Sequence, residues 1–320
     1  MIICFYADHP YWSQLNNNGG SRTILLSQMT LRKLGHEVSV VARHDGFSWF
    51  KHPKPIRRIP KNADICIAVS ISDVKPMLTR MPKKAKAFYW CRLLETLHMP
   101  KSKIVRHAKN VHTLVNSECL QAWFAKHRVK TTVAYQGVDV EKWRDLGQRS
   151  GKPTIGFLVS KKKRKHFDVV KQIVELCGDK YDYVGYGAKK DQNSKTRGFA
   201  KNHFKVFKQN PSHDDLVGLY NLCHTWVVTS TKEGLHNPVL EAALCGAAVV
   251  YPNARLGGCA DHCIDRQTAW EYESRNAESA AKAIALADKS LNEAHKKLII
   301  DKISDRVIAM ERFCDHLKKS

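Results

Sequence analysis

Apolar and polar positions along the chain follow two rhythms: short apolar runs, and longer stretches with helical spacing. Residues 2–7 form the first apolar run and predict a strand, followed by a polar, glycine-bearing loop. Residues 22–34 place Ile24, Leu25, Met29, Leu31 and Leu34 on one helical face, and Gly35 suits the C-terminal cap. Further strands are predicted over 37–42, 65–70, 87–90, 111–115 and 133–135, with a helix over 118–127. The polar stretch 141–153, ending in Gly151-Lys152-Pro153, reads as a linker. The alternation then restarts. Strands are expected over 154–159, 181–184, 225–229 and 247–251, and helices over 167–177, 214–222 and 238–245. Repeated strand–helix units with short connections predict parallel sheets covered by helices on both faces. Two such sets imply two doubly wound α/β domains, 1–145 and 152–300, facing each other across a cleft. Residues 301–320 are expected to form a helix returning to the first domain. Ligands of such sheets sit at the carboxyl ends of the strands, so the cleft is the expected site.

A hydrophobic content of 43% and a charged content of 26% over 320 residues belong to a globular protein with two cores. No apolar run reaches the length of a membrane-spanning helix. The start, Met1-Ile2-Ile3-Cys4-Phe5-Tyr6, meets Asp8 at once and reads as a core strand rather than a signal peptide. Ten cysteines in that context point to a reducing cytoplasm, the host's if the protein is of phage origin. Cys259, His262 and Cys263 approach a metal-ligand set but lack a fourth ligand at useful spacing, so no metal site is expected.

Charge changes the picture more. The formal net charge is +23, and residues 1–150 hold 25 Lys and Arg against 10 Asp and Glu. Such an excess draws polyanions, and the N-terminal half is where an anionic partner is expected to bind.

The segment Thr229-Ser230-Thr231-Lys232-Glu233-Gly234-Leu235-His236-Asn237-Pro238-Val239-Leu240-Glu241-Ala242-Ala243-Leu244-Cys245-Gly246 is the most specific in the chain. Glu233 falls in the loop after a strand and Glu241 inside the next helix. Pro238 stands where that helix begins, a place that tolerates its missing N–H. A helix N-terminus offers free N–H donors to an anionic diphosphate. Glu241 can accept hydrogen bonds from a ribose diol, and Glu233 from sugar hydroxyls. The arrangement resembles the Glu-x7-Glu motif of retaining glycosyltransferases with the GT-B fold, built of two Rossmann-like domains.

The resemblance continues along the chain. Asn18-Gly19-Gly20 looks like the family's glycine loop, where backbone approaches the donor phosphate. Leu34-Gly35-His36-Glu37-Val38 resembles its helix-to-strand junction, and Tyr135-Gln136-Gly137-Val138-Asp139 the segment that ends its N-terminal domain. Ile155-Gly156-Phe157-Leu158 and Lys165-His166-Phe167-Asp168 correspond to the strand and loop whose Arg and Lys neutralise the diphosphate. Phe157 stands in the Arg position, so the run Lys161-Lys162-Lys163-Arg164-Lys165 must supply both charges. Gly257-Gly258 followed by Asp261 resembles a loop that closes near the donor. The family's sugar-contacting His is absent from Tyr89-Trp90-Cys91-Arg92; Trp90 and Arg92 shape that place, with His98 a distant substitute. The resemblance thus implies catalytic roles for Glu233, Lys165 and Arg92. It implies donor binding by Gly19, Gly20, Lys161, Gly234, Leu235, His236, Asn237 and Glu241. The donor is a nucleotide-diphosphate sugar, UDP-linked by analogy; no cofactor or metal is expected, since no Asp-x-Asp cluster is present.

For the acceptor, basic residues crowd the first half, and one cluster follows Phe47-Ser48-Trp49-Phe50. Lys54, Arg57 and Arg58 could grip phosphates while Trp49 stacks on an unpaired base. The combination resembles bacteriophage enzymes that glycosylate hydroxymethylated pyrimidines in DNA, which turn the base out of the duplex. A peripheral enzyme on anionic membrane, acting on lipid or surface glycan, is the alternative. Pro53, Pro55, Pro60, Pro76 and Pro82 argue against a long membrane-surface helix there. A non-catalytic nucleic-acid-binding protein on a transferase fold is disfavoured by the intact Glu233/Glu241 pair.

Overall fold

The computed structural model describes residues 1–8, 15–96, 99–149 and 151–319. The chain forms two compact units, Met1–Gly137 with Asp305–Ser320, and Val138–Ser304. His98 lies outside the described residues.

In the first unit the strands are β1 (Ile2–Tyr6), β2 (Leu15–Asn16), β3 (Glu37–Val41), β4 (Asp45–Gly46), β5 (Ile65–Ala68), β6 (Lys86–Cys91), β7 (His112–Val115) and β8 (Thr131–Val133). Six of them form a parallel sheet in the order β3-β1-β5-β6-β7-β8, and β2 pairs with β4. Phe5 on β1 stands between Val40 and Ile67. Covered on both faces, these strands need continuous apolar runs rather than alternation, which is why Ile3-Cys4-Phe5-Tyr6 is buried throughout. The helices are α1 (Gly19–Lys33), α2 (Ile71–Arg80), α3 (Lys101–Ala108) and α4 (Glu118–Lys126). Asn18 caps α1 by accepting a hydrogen bond from the Ser21 N–H, so Gly19 and Gly20 are its first two residues. The expected start at residue 22 was late by one turn. Helix α2 was not anticipated, because Pro76 inside it removes a ladder donor and masks the periodicity. Ser70 starts it by accepting from the Ser72 N–H.

In the second unit β9 (Thr154–Leu158), β10 (Asp182–Gly187), β11 (Val206–Gln209), β12 (Thr225–Val227), β13 (Ala248–Pro252) and β14 (Trp270–Tyr272) form a second parallel sheet. Its order is β11-β10-β9-β12-β13-β14, so successive strands first run outward on one side of β9 and then on the other. The reversal falls between β9 and β12, the place where ligands settle on open parallel sheets. Helices α5 (Phe167–Cys177), α6 (Ser194–His203), α7 (His213–Leu222), α8 (Asn237–Leu244), α9 (Ala277–Leu286) and α10 (Asn292–Leu298) complete the unit. Phe157 is fully buried in its core beside Ile155 and Val227. The stretch 141–153 packs within this unit. Trp143 is 2% exposed, the Leu146 N–H reaches Asn221 at 2.7 Å, and Arg149 donates to the Cys245 carbonyl at 2.8 Å.

The last helix, α11 (Arg306–Lys319), lays Met310, Phe313 and Leu317 into the core of the first unit, with the Phe313 ring 4.8 Å from Trp90. Gly137 makes room where α11 starts: its φ is +67°, and a Cβ would fall 2.5 Å from the Arg306 Cα. Among the described residues no helix is long and apolar enough to cross a membrane.

Candidate functional site

Both loops that flank the reversal in the second sheet carry charge. After β9 the chain runs through the five-residue basic stretch and enters α5 at His166, whose φ of +45° is the left-handed turn that redirects the backbone. Lys161, Lys162 and Lys163 are exposed, whereas Arg164 and Lys165 turn inward. Lys162 pairs outward with Asp191 at 2.7 Å. After β12 the chain reaches Glu233, whose Oε1 meets the Lys165 Nζ at 2.5 Å and also accepts from the Arg164 guanidinium. Backbone ties hold the two loops together: Thr229 Oγ1 donates to the Lys165 carbonyl at 2.6 Å, and the Thr231 N–H to the Arg164 carbonyl at 3.1 Å. His166 Nε2 lies 2.8 Å from Thr231 Oγ1.

The electrostatics follow from burial. Desolvation alone would raise the Glu233 carboxyl, but Lys165 and Arg164 outweigh it and hold the group at about 2. Burial lowers the Lys165 ammonium, against the opposing pull of Glu233. Lys165 is 7% exposed, so the pair is neither a surface contact nor screened by water.

A third loop closes over Glu233. The Glu233 N–H donates to the Leu256 carbonyl at 2.7 Å, and the His236 N–H to the Gly258 carbonyl at 3.3 Å. Gly258 has φ +73°, and a Cβ there would stand 2.4 Å from the Gly234 oxygen and 2.9 Å from the Glu233 Cβ. Gly258→Ala is therefore expected to destabilise the protein by about 1–3 kcal/mol. Thermal unfolding checks this; an unchanged Tm would show that the loop yields without cost.

Gly234, Leu235 and His236 are buried beneath this clamp, and Asn237 opens α8 with Pro238 behind it. Glu241 is 1% exposed, and its Oε2 accepts from the Tyr220 hydroxyl at 3.2 Å, itself 2.9 Å from the Tyr186 hydroxyl. Of the basic run, Lys165 and Arg164 turn toward Glu233, whereas the Lys161 side chain is exposed and its N–H serves the Asp191 carbonyl.

In the first unit Arg92, just beyond β6, donates to the carbonyls of Gly20 and of Val69, the latter at 2.8 Å. It braces the start of α1 against the end of β5. Beside it Glu95 was missed by sequence reasoning. Its carboxylate accepts from the Ile71 N–H at 2.9 Å, Ser70 Oγ at 2.8 Å and the Tyr89 hydroxyl at 3.2 Å. The available signal was a lone acidic residue following an apolar strand in a basic domain.

The expected acceptor residues divide. Lys54, Arg57 and Arg58 are exposed. Trp49 is half-buried and packs edge-on against Phe47 at 5.5 Å, and Phe47 is itself buried in the core. Phe50 and His52 join the same cluster, at 4.8 and 5.6 Å from Phe47. The aromatic group packs together on the core, which removes apolar area from water.

A second set of groups was only half legible. His295, on α10, comes to His262 and Cys263, and the ligating atoms of the three lie within 4.8 Å of one another. The missing partner stands 32 residues downstream of Cys263, beyond any spacing rule.

Comparison with known proteins accords with this architecture. Anabaena Alr3699/HepE, solved in complex with UDP-glucose, superposes with a TM-score of 0.80 at 14% identity, covering 100% of both chains. Sucrose-phosphate synthase from Thermosynechococcus elongatus gives 0.79 at 13% identity, covering 100% of this chain and 98% of that one. TarM gives 0.66 at 16% identity, over 81% of this chain and 55% of its own. At these identities the likeness speaks for the fold, which is GT-B. No curated protein matches by sequence. The family model for glycosyl transferases group 1 matches residues 139–300, half of the chain, and the protein belongs to that family.

Proposed function

We propose that this glycosyltransferase moves a sugar from a UDP-linked donor to an acceptor hydroxyl with retention of configuration and without a metal in the chemical step. The carrying observation is the convergence of Lys165 and Arg164 on Glu233 beside the strand reversal. Two inward cations suit a diphosphate, whose negative charge grows as the glycosidic bond breaks; fixed charges aimed there lower the barrier. Glu233 keeps both cations oriented and offers acceptor oxygens to sugar hydroxyls. Glu241 takes the ribose diol, and the N–H groups opening α8 add to the anionic pocket. Gly234, Leu235, His236 and Asn237 shape its wall. The similar Anabaena HepE structures hold UDP and UDP-glucose, which supports a uridine donor.

For the acceptor, we propose an anionic polymer, hydroxymethylated DNA foremost. The excess of basic residues in the first 150 positions and the exposed Lys54, Arg57 and Arg58 support phosphate binding. Stacking by Trp49 is dropped from that reading, since its ring is packed inward. Incubation with a panel of nucleotide sugars, followed by mass spectrometry of hydroxymethylated DNA, is expected to show one added sugar per modified base. Label found in vesicle lipid or glycan and never in DNA overturns the acceptor; label in neither overturns the donor reading.

A further inference from the structure

Behind the clamp that covers Glu233, the loop after β13 continues through Cys259, Asp261, His262 and Cys263 toward α10. Its thiols and imidazoles gather in the interior. His262 and His295 are at most 1% exposed, Cys259 is 2% exposed and Cys263 is 4% exposed. His262 Nδ1 stands 3.0 Å from His295 Nε2, and Cys263 Sγ lies 3.5 Å from the first and 3.8 Å from the second. Cys259 sits one turn before Cys263, whose N–H donates to the Cys259 carbonyl at 2.7 Å.

We infer that His262, Cys263 and His295 bind a zinc ion. A tetrahedral centre with Zn–N near 2.0–2.1 Å and Zn–S near 2.3 Å has edges of about 3.3 Å between nitrogens and about 3.6 Å between nitrogen and sulfur. The three measured separations, 3.0, 3.5 and 3.8 Å, are those edges within a small adjustment. One thiolate and two neutral imidazoles form a donor set that zinc accepts, and the thiolate offsets part of the dication's charge. Three protein ligands leave the fourth tetrahedral position for a water or a further donor. The ion's effect is to lock the loop that carries Gly258 to α10. Cys259 Sγ lies 3.8 Å from His236 Nδ1, tying the same loop to the entry of α8.

The test uses the full chain produced without a polyhistidine tag. Elemental analysis after equilibration with micromolar zinc and removal of loose metal is expected to give one zinc per chain. Replacing zinc with Co²⁺ is expected to give the visible bands of a tetrahedral site and an ultraviolet thiolate-to-cobalt absorption. Cys263→Ser should remove that absorption, and His295→Ala should weaken cobalt binding by about tenfold or more. A strong chelator should lower Tm, and zinc should restore it. The wild-type measurements decide the matter even if a variant fails to fold. Fewer than 0.1 zinc per chain (about the background of adventitious metal) together with a Co²⁺ spectrum like that of the aqueous ion would overturn the site, leaving a hydrogen-bonded core cluster. Full thiolate absorption in Cys263→Ser would overturn Cys263 as a ligand, and copper binding without zinc binding would overturn zinc.

Discussion

Lys165→Ala is expected to lower turnover at saturating UDP-sugar by about 10²–10³-fold, the usual cost of removing one preorganised group that stabilises transition-state charge. Lys162→Ala, three residues away, is expected to stay within about threefold, because its ammonium is exposed and pairs with Asp191 at 2.7 Å. Steady-state kinetics on the two variants separate a catalytic lysine from a solvated run; equal, small losses would remove Lys165 from the chemistry. Glu233 gives the complementary result. In Glu233→Gln, Lys165 and Arg164 face each other with no carboxylate between them, and breaking a buried pair costs about 3–5 kcal/mol. The melting temperature should fall, and UDP should recover more of it in the variant than in wild type, since the diphosphate replaces the missing charge. A wild-type response to UDP in Glu233→Gln would separate these cations from the donor. The pH dependence has a defined sign. The folded carboxyl sits at about 2 against an ordinary 4.5, so its stabilising contribution is present above about 4.5 and lost as pH falls toward 2.

The second large effect concerns Glu95, and its sign is opposite. Burial raises its carboxyl to about 7, against the lowering influence of Ser70, the Ile71 N–H, Tyr89 and Arg92. The folded protein therefore holds a proton there that the unfolded chain releases near 4.5. Stability from this group is full below about 4.5 and lost as pH rises through about 7, with a span on the order of 3 kcal/mol. Glu95→Gln should flatten the decline in stability between about pH 5 and 7 and be neutral or stabilising at about pH 8. Denaturant unfolding across pH checks this, and a wild-type slope in the variant would assign the dependence to other groups.

The class of fold was written in the spacing of apolar residues. Parallel strands covered on both faces must be apolar throughout, and runs such as Ile3-Cys4-Phe5-Tyr6 are therefore visible without any partner. Glu233 and Glu241 were legible for a similar reason, since the strand, the loop, Pro238 and the helix follow one another directly and their geometry is local. Where several residues of one type compete, the sequence is silent. Five successive cations look alike until the left-handed turn at His166 and the bonds to Thr229 and Thr231 send Arg164 and Lys165 inward and leave Lys161 in solvent. The same limit applied to Trp49, whose neighbours in sequence are cations but whose ring meets Phe47 and the core. Glu95 and His295 depended on tertiary structure. Each has partners 24 or more residues away in the chain, Ile71 and Ser70 in one case, His262 and Cys263 in the other. Short-range spacing encodes strands, helices and motifs because their geometry repeats every few residues; the state of a buried charge is decided by whatever the folded chain brings within hydrogen-bond reach.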